Sequence, residues 1–375
     1  MIRPKQLSPT YYAVCRLLLF FVAASASFNG YYDKWHFREP GVHGHSLAAS
    51  FDRIVDGTAD RPFIFRQLIP TLSNEIDQRV PSGIKDRVFN ARTGEKRLLD
   101  AMFDSPMAKD SVYFFRYLVF YALTFLFAQL AIWCMYLVCR EAGLGPLVSV
   151  LAPIAVTLLI PYIMSQGGSY YDFPEFAFLA LAISISFRHK WWWIIPVAAL
   201  GTWNKESFLL AMPTLYPFFR RHQTRNAALL GTGVLFLVCA AVYYPIRLHY
   251  AHNGGGPMEF HLYDQVVFFL HPQRLVFDLD RTYGAVTPSA FTVLPLALLV
   301  WTAVRGWSEL PAPVKMHAKI AAAINIPLFL AFCHPGELRN LSLLFVVFLL
   351  MVACNLAGWI RQSEPTPSPV PTTPS

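Results

Sequence analysis

Long uncharged runs broken by short polar interruptions set the pattern of this chain, and their lengths predict helices that cross a bilayer. Coiled at about 1.5 Å per residue, roughly 18 or more apolar residues span the hydrocarbon layer. Apolar segments fall at about residues 12–31, 112–138, 145–164, 173–187, 226–246, 286–304, 318–333 and 340–360. Two shorter ones, about 191–203 and 207–219, flank the triplet Asn204-Lys205-Glu206. The pair predicts either one helix with three polar residues stranded in its middle, or a hairpin of two short helices with those residues at its tip.

Charge favours the hairpin. Arg188 and Lys190 precede this region, and Arg220, Arg221 and Arg225 follow it. Short loops rich in Lys and Arg stay cytoplasmic, so both clusters belong on that side and the chain must enter and return. Arg3, Lys5, Arg16, Arg140, Arg305, Lys315, Lys319 and Arg361 fall on the same side, opposed there only by Glu141, Glu309 and Glu364. The expected fold class is therefore an all-α polytopic transmembrane bundle of about ten segments, two of them short. Residues 1–360 form a single transmembrane domain with a large first extracytoplasmic loop, 32–111, and a second, 247–285. The Pro-, Ser- and Thr-rich tail 361–375 is expected to be disordered and cytoplasmic. Both termini then lie in the cytoplasm of a multi-pass protein, expected in the plasma (inner) membrane. Alternatively, Ala24-Ser25-Ala26 ends a signal peptide; either way residue 30 emerges outside.

Composition supports the membrane assignment. Hydrophobic residues make up 55% of the chain and charged residues 14%, against about 25% charged in soluble proteins. The net charge of +8 follows from topology, and nucleic acid is not an expected partner. The six cysteines lie in or beside apolar segments without a CxxC pair, which reads as small apolar filling. No HExxH spacing occurs, so no metal ligands are assigned and no cofactor is expected, a divalent metal being left open.

The outer ends of the segments carry a distinctive polar set. Tyr31-Tyr32-Asp33 closes the first, with Glu39 just beyond. Gly168 to Glu175 joins the third and fourth, Asn204-Lys205-Glu206 tips the hairpin, and His334 to Asn340 joins the last two. Asp33 and Glu39 are candidate general bases, or solvated loop acids. Asp172 and Glu175 either cap a helix or bind substrate. Lys205 and Glu206 form a salt bridge, with each other or across helices, or bind an anionic substrate; charges near a membrane are costly unless they pair or work. His334, Glu337 and Arg339 occupy a short loop in which Arg339 can clamp a phosphate in bidentate fashion or snorkel to the headgroups. Arg61 and Arg66, in an apolar stretch of the first loop, are further candidate anion binders, for substrate or for lipid headgroups.

Together these features resemble the C-type glycosyltransferase superfamily of polytopic membrane enzymes. The likeness rests on an outward first helix, a long outer loop opening on an acid in Tyr31-Tyr32-Asp33, broken mid-chain helices tipped by Asn204-Lys205-Glu206, and an outer Arg339 between late helices. No DxD pair follows the first helix. The resemblance implies sugar transfer from a polyprenyl-phosphate carrier, with membrane lipid and a lipid-linked donor as partners and a glycan, lipid or protein as acceptor. It implies Asp33 as base, with Lys205, Arg339 and Arg66 on the departing phosphate. The alternative is a membrane transporter or a non-catalytic envelope or glycan assembly protein.

Overall fold

The computed structural model describes residues 8–32, 50–91, 110–164, 168–188, 190–256 and 258–363. Its frame consists of helices α1 (Pro9–Tyr32), α2 (Phe51–Val55), α3 (Leu68–Arg79), α4 (Ser82–Asn90), α5 (Ser111–Glu141), α6 (Pro146–Ile163) and α7 (Asp172–Phe187). It continues with α8 (Ile194–Asn204), α9 (Tyr216–Arg220), α10 (Arg225–His249), α11 (Leu262–Phe269), α12 (Arg274–Phe277), α13 (Val293–Trp307), α14 (Ala312–Phe332) and α15 (Phe345–Ser363). Two 3-10 helices, Glu206–Leu215 and Leu338–Leu344, lead into α9 and α15, and a small antiparallel hairpin pairs Leu279–Thr282 with Ala285–Pro288.

Six of these stretches are long and apolar enough to cross a membrane: α1, α5, α6, α10, α14 and Leu338–Ser363. The protein is thus a polytopic α-helical membrane protein. Each of the ten apolar segments expected from sequence contains a helix, although the segment expected at 286–304 opens as the strand Ala285–Pro288 and turns helical only at Val293. Four of those helices are shorter than a full span. One reason is visible in α7, where thirteen of sixteen residues are buried. A helix that is apolar all round sits inside the bundle, where protein surrounds it. Local chemistry fixes several helix starts. The Asp110 carboxylate accepts from Val112 N and Tyr113 N at 2.8 and 3.2 Å, and Thr224 caps α10. Such caps contribute about 1 kcal/mol each.

The chain turns back at Lys205, whose backbone is extended (φ −155°, ψ 128°) between α8 and the following 3-10 helix. A side-chain carbon on Gly231 of α10 would touch both Trp191 and Phe219 within 4 Å. A continuous helix would separate those two residues by about 42 Å, so the hairpin stands. Gly201 makes the turn tight: a Cβ there would lie 2.6 Å from the Phe208 ring on the other arm.

The region 50–91 packs onto this tip and onto the start of α5. Gln67 N donates to Trp203 O at 3.1 Å, Ser73 Oγ donates to Arg116 O at 3.0 Å, and Asp77 pairs with Lys85 and Arg116 at 2.6 and 3.2 Å. The opposite end of the bundle holds Arg188 against Glu141 at 2.6 Å and Arg361 near Glu309 at 3.9 Å. Residues 33–49, 92–109 and 364–375, which include Asp33, Glu39 and most of the tail, lie outside the described residues. The charge-derived orientation has a direct check at exposed sites. Cysteines replacing Asn90 and Phe277 should react with an impermeant thiol reagent on intact cells, and those replacing Arg221 and Ser308 should not. The reverse pattern would invert the topology.

Candidate functional site

Three of the polar motifs meet at one end of the bundle, around the start of α7. Asp172 Oδ2 accepts from Ser169 N at 2.7 Å, closing its own turn, and from Arg339 Nη1 at 2.9 Å. One turn further, Glu175 faces Lys205 Nζ at 2.7 Å through one oxygen. Its other oxygen accepts from Ser342 Oγ at 2.7 Å and Ser207 Oγ at 3.1 Å. Both carboxylates are about 1% exposed. So Asp172, expected from sequence to cap the helix, makes no capping hydrogen bond and instead joins the turn before α7 to Arg339, while Glu175 is the anchor of the hairpin tip.

Arg339 also donates to Glu337 Oε1 and Ser169 Oγ, each at 3.0 Å. Glu337 in turn accepts from Asn340 Nδ2 at 3.0 Å and His334 N at 3.2 Å. Burial opposes ionisation of Glu337, but Arg339 outweighs it and holds the carboxyl below its ordinary value. On the opposite side, Arg66 reaches Glu206 at 3.3 Å, donates to the Tyr171 hydroxyl, and lies 4.2 Å from that ring's centroid. Burial disfavours the Arg66 cation, yet Tyr171 and Glu206 more than compensate and raise its pKa. Tyr170 donates to Arg66 O at 2.9 Å, and burial pushes its hydroxyl pKa up, so it stays neutral.

The fourth motif reaches this network through the end of α1. Tyr31 is fully buried and its hydroxyl donates to Ser169 O. Gly168 is required beside it, because a Cβ would collide with the Tyr31 ring.

Buried ion pairs are poor stabilisers, since desolvation consumes most of the Coulomb gain and well-packed apolar residues do as well or better. A linked set of them along a cavity is therefore a functional signal. The cavity has a volume of about 950 Å³. Its lining includes the charged residues Arg66, Lys205, Glu206, Glu337 and Arg339 and the apolar residues Leu209, Leu210, Leu328, Phe329 and Phe332. Arg247, at the end of α10, also lines it. Arg247 bonds the Tyr243 hydroxyl and lies 4.8 Å from the Phe65 ring centroid, with no carboxylate partner among the described residues.

Of the sequence candidates, Arg66, Asp172, Glu175, Lys205, Glu206, Glu337 and Arg339 come together here. His334 lies at the rim, its ring 3.8 Å from that of His261. Arg61 is drawn elsewhere. It donates to Gly255 O at 2.8 Å and to Gly254 O at 3.4 Å, latching the region 50–91 to the loop after α10. Sequence reasoning missed Arg247, Asn340, Ser207 and Ser342. Arg247 did carry a signal, because the topology expected from charge puts it at the outer end of a span, where a base runs against the positive-inside rule. No family model, curated protein or solved structure matches the chain. Fold and site define a polytopic membrane protein with an amphipathic, charge-lined cavity at one end of its bundle.

Proposed function

We propose that this protein is an integral membrane glycosyltransferase that moves a sugar from a polyprenyl-phosphate carrier to an acceptor on the extracytoplasmic side. The observation that carries this reading is the cavity itself. A polyprenyl-phosphate sugar joins an apolar tail to an anionic, hydroxyl-rich head, and one cavity of about 950 Å³ offers both kinds of wall. The charge-derived topology, which puts the cavity outside, goes with the same reading.

In the reaction the acceptor hydroxyl attacks the anomeric carbon, the carbon–oxygen bond to phosphate breaks, and configuration inverts. The electron pair leaves on the phosphate and the hydroxyl proton passes to a base, the role proposed for Asp33. Arg66, Arg247 and Arg339 meet the departing phosphate, where positive charge stabilises the transition state most. Lys205 and Glu175 hold the frame. Tyr171, buried with Arg66 and Lys205 both over its ring, holds the two cations in place.

A second reading, a transporter or assembly protein, draws on the two interrupted helices beside the buried ion pairs, a feature of transporter binding sites. Transfer assays separate the two. In membranes holding equal amounts of each variant, Asp33→Asn should lower transfer of labelled sugar from lipid carrier to acceptor by roughly 10²–10⁴-fold, the usual share of a general base. Glu39→Gln should have a much smaller effect. Loss in Glu39→Gln alone would move the base six residues on. Transfer unchanged in both would remove the base from this segment.

A further inference from the structure

The rim of the cavity carries a group of side chains to which the sugar-transfer reading assigns no work. His261, at the start of α11, and His334, after α14, stack with ring centroids 3.8 Å apart. His261 Nδ1 lies 2.8 Å from Asp264 Oδ2. One donor atom from each of His261, Asp264 and His334 lies within 4.8 Å of the other two. On the far side of the His261 ring, Nε2 stands 3.5 Å from Glu259 Oε2.

From this geometry we infer that His261, Asp264 and His334 form a binding site for a divalent transition-metal ion of the zinc class, at the rim of the cavity. Two imidazoles and one carboxylate make a donor set that suits zinc and leaves a coordination position open. Ligands about 2.1 Å from a tetrahedral metal stand about 3.4 Å apart, so His334 must draw in while the 2.8 Å His261–Asp264 pair opens slightly. His334 is exposed, so a side-chain rotation there displaces no core residue. Glu259 supplies the usual companion of a metal-bound histidine, a carboxylate on the nitrogen that faces away from the metal.

The backbone holds the two halves together without any ion. His261 N donates to Ala331 O at 2.8 Å, and Gln265 Nε2 donates to Cys333 O at 2.9 Å. A metal here would clamp α11 to the loop that carries Glu337 and Arg339, because His334 N is itself hydrogen-bonded to Glu337.

The test needs no sugar donor, so it stands or falls apart from glycosyl transfer. Full-length protein, stripped with a chelator and placed in nanodiscs, is titrated with Co²⁺ and with Zn²⁺. Calorimetry follows both ions, and visible absorption follows cobalt. The expected result is one equivalent bound, with cobalt bands of a low-coordinate nitrogen–oxygen site. His261→Ala and His334→Ala should each weaken binding by at least about 100-fold, and Glu259→Gln by about 10-fold. The exposed controls His252→Ala and His271→Ala should bind as wild type. Melting curves without metal verify that each variant folds; the two rim variants should match wild type there and lose only the upward shift that zinc brings. Binding that survives both rim changes would overturn the site. Equal binding of Mg²⁺ would overturn the assignment of metal class.

Discussion

Changing Lys205 to methionine should destabilise the protein by roughly 3–5 kcal/mol, the usual cost of removing one partner from a buried ion pair. The Lys205 side chain is 7% exposed and faces Glu175, itself 1% exposed, at 2.7 Å. With the ammonium gone, Glu175 keeps only Ser207 and Ser342, and an unpaired buried carboxylate must either ionise at high cost or take up a proton. The measurement is the apparent melting temperature of purified protein, followed by size-exclusion profile after heating. Combining Lys205→Met with Glu175→Gln should recover most of the loss, since a neutral amide still accepts from both serines. Combining it with Glu206→Met should recover none, because Glu206 is bound to Arg66. Rescue through Glu206 would mean that the tip pairs internally and that Glu175 is not its anchor.

On the glycosyltransferase reading, the second large effect is on turnover. Arg339→Lys should lower sugar transfer by roughly 10²–10³-fold, the range seen when one preorganised donor to a developing anion is removed. The guanidinium binds Asp172 and Ser169 through one nitrogen and Glu337 through the other. Lysine keeps the charge but loses the planar fork, so it cannot hold both acids while facing a phosphate. The amount of folded protein should change much less than the rate. A variant that transfers normally would remove Arg339 from the phosphate site and leave it a purely structural role.

Much of this organisation was legible in the sequence, for identifiable reasons. Charge clusters at Arg188–Lys190 and Arg220–Arg225 demanded a return between them, and the touch of Trp191 and Phe219 on Gly231 shows that return. Polar residues in an apolar chain are conspicuous, which is why Ser169 to Glu175, Lys205 and Arg339 stood out before any geometry. What the sequence left open was who pairs with whom. Lys205 and Glu206 are adjacent, but at an extended turn neighbouring side chains diverge, and their partners are Glu175 and Arg66, 30 and 140 residues away along the chain. Arg61 and Arg66 looked equivalent, yet only Arg66 lines the cavity, while Arg61 latches the region 50–91 to the loop after α10. Arg247 was passed over because a lone base at a helix end resembles an interfacial anchor. The His261–His334 stack joins residues 73 positions apart, a distance at which no local motif operates.

The most direct test of the glycosyltransferase reading is release of free carrier lipid. Purified protein in nanodiscs is given a mixed pool of polyprenyl-phosphate sugars with candidate acceptors, and mass spectrometry quantifies the polyprenyl phosphate freed. The account predicts release by the wild type for at least one donor, with loss of roughly 10²-fold or more in Arg339→Lys. Retention of every donor intact by well-folded wild-type protein, or release that ignores the Arg339 change, would contradict it.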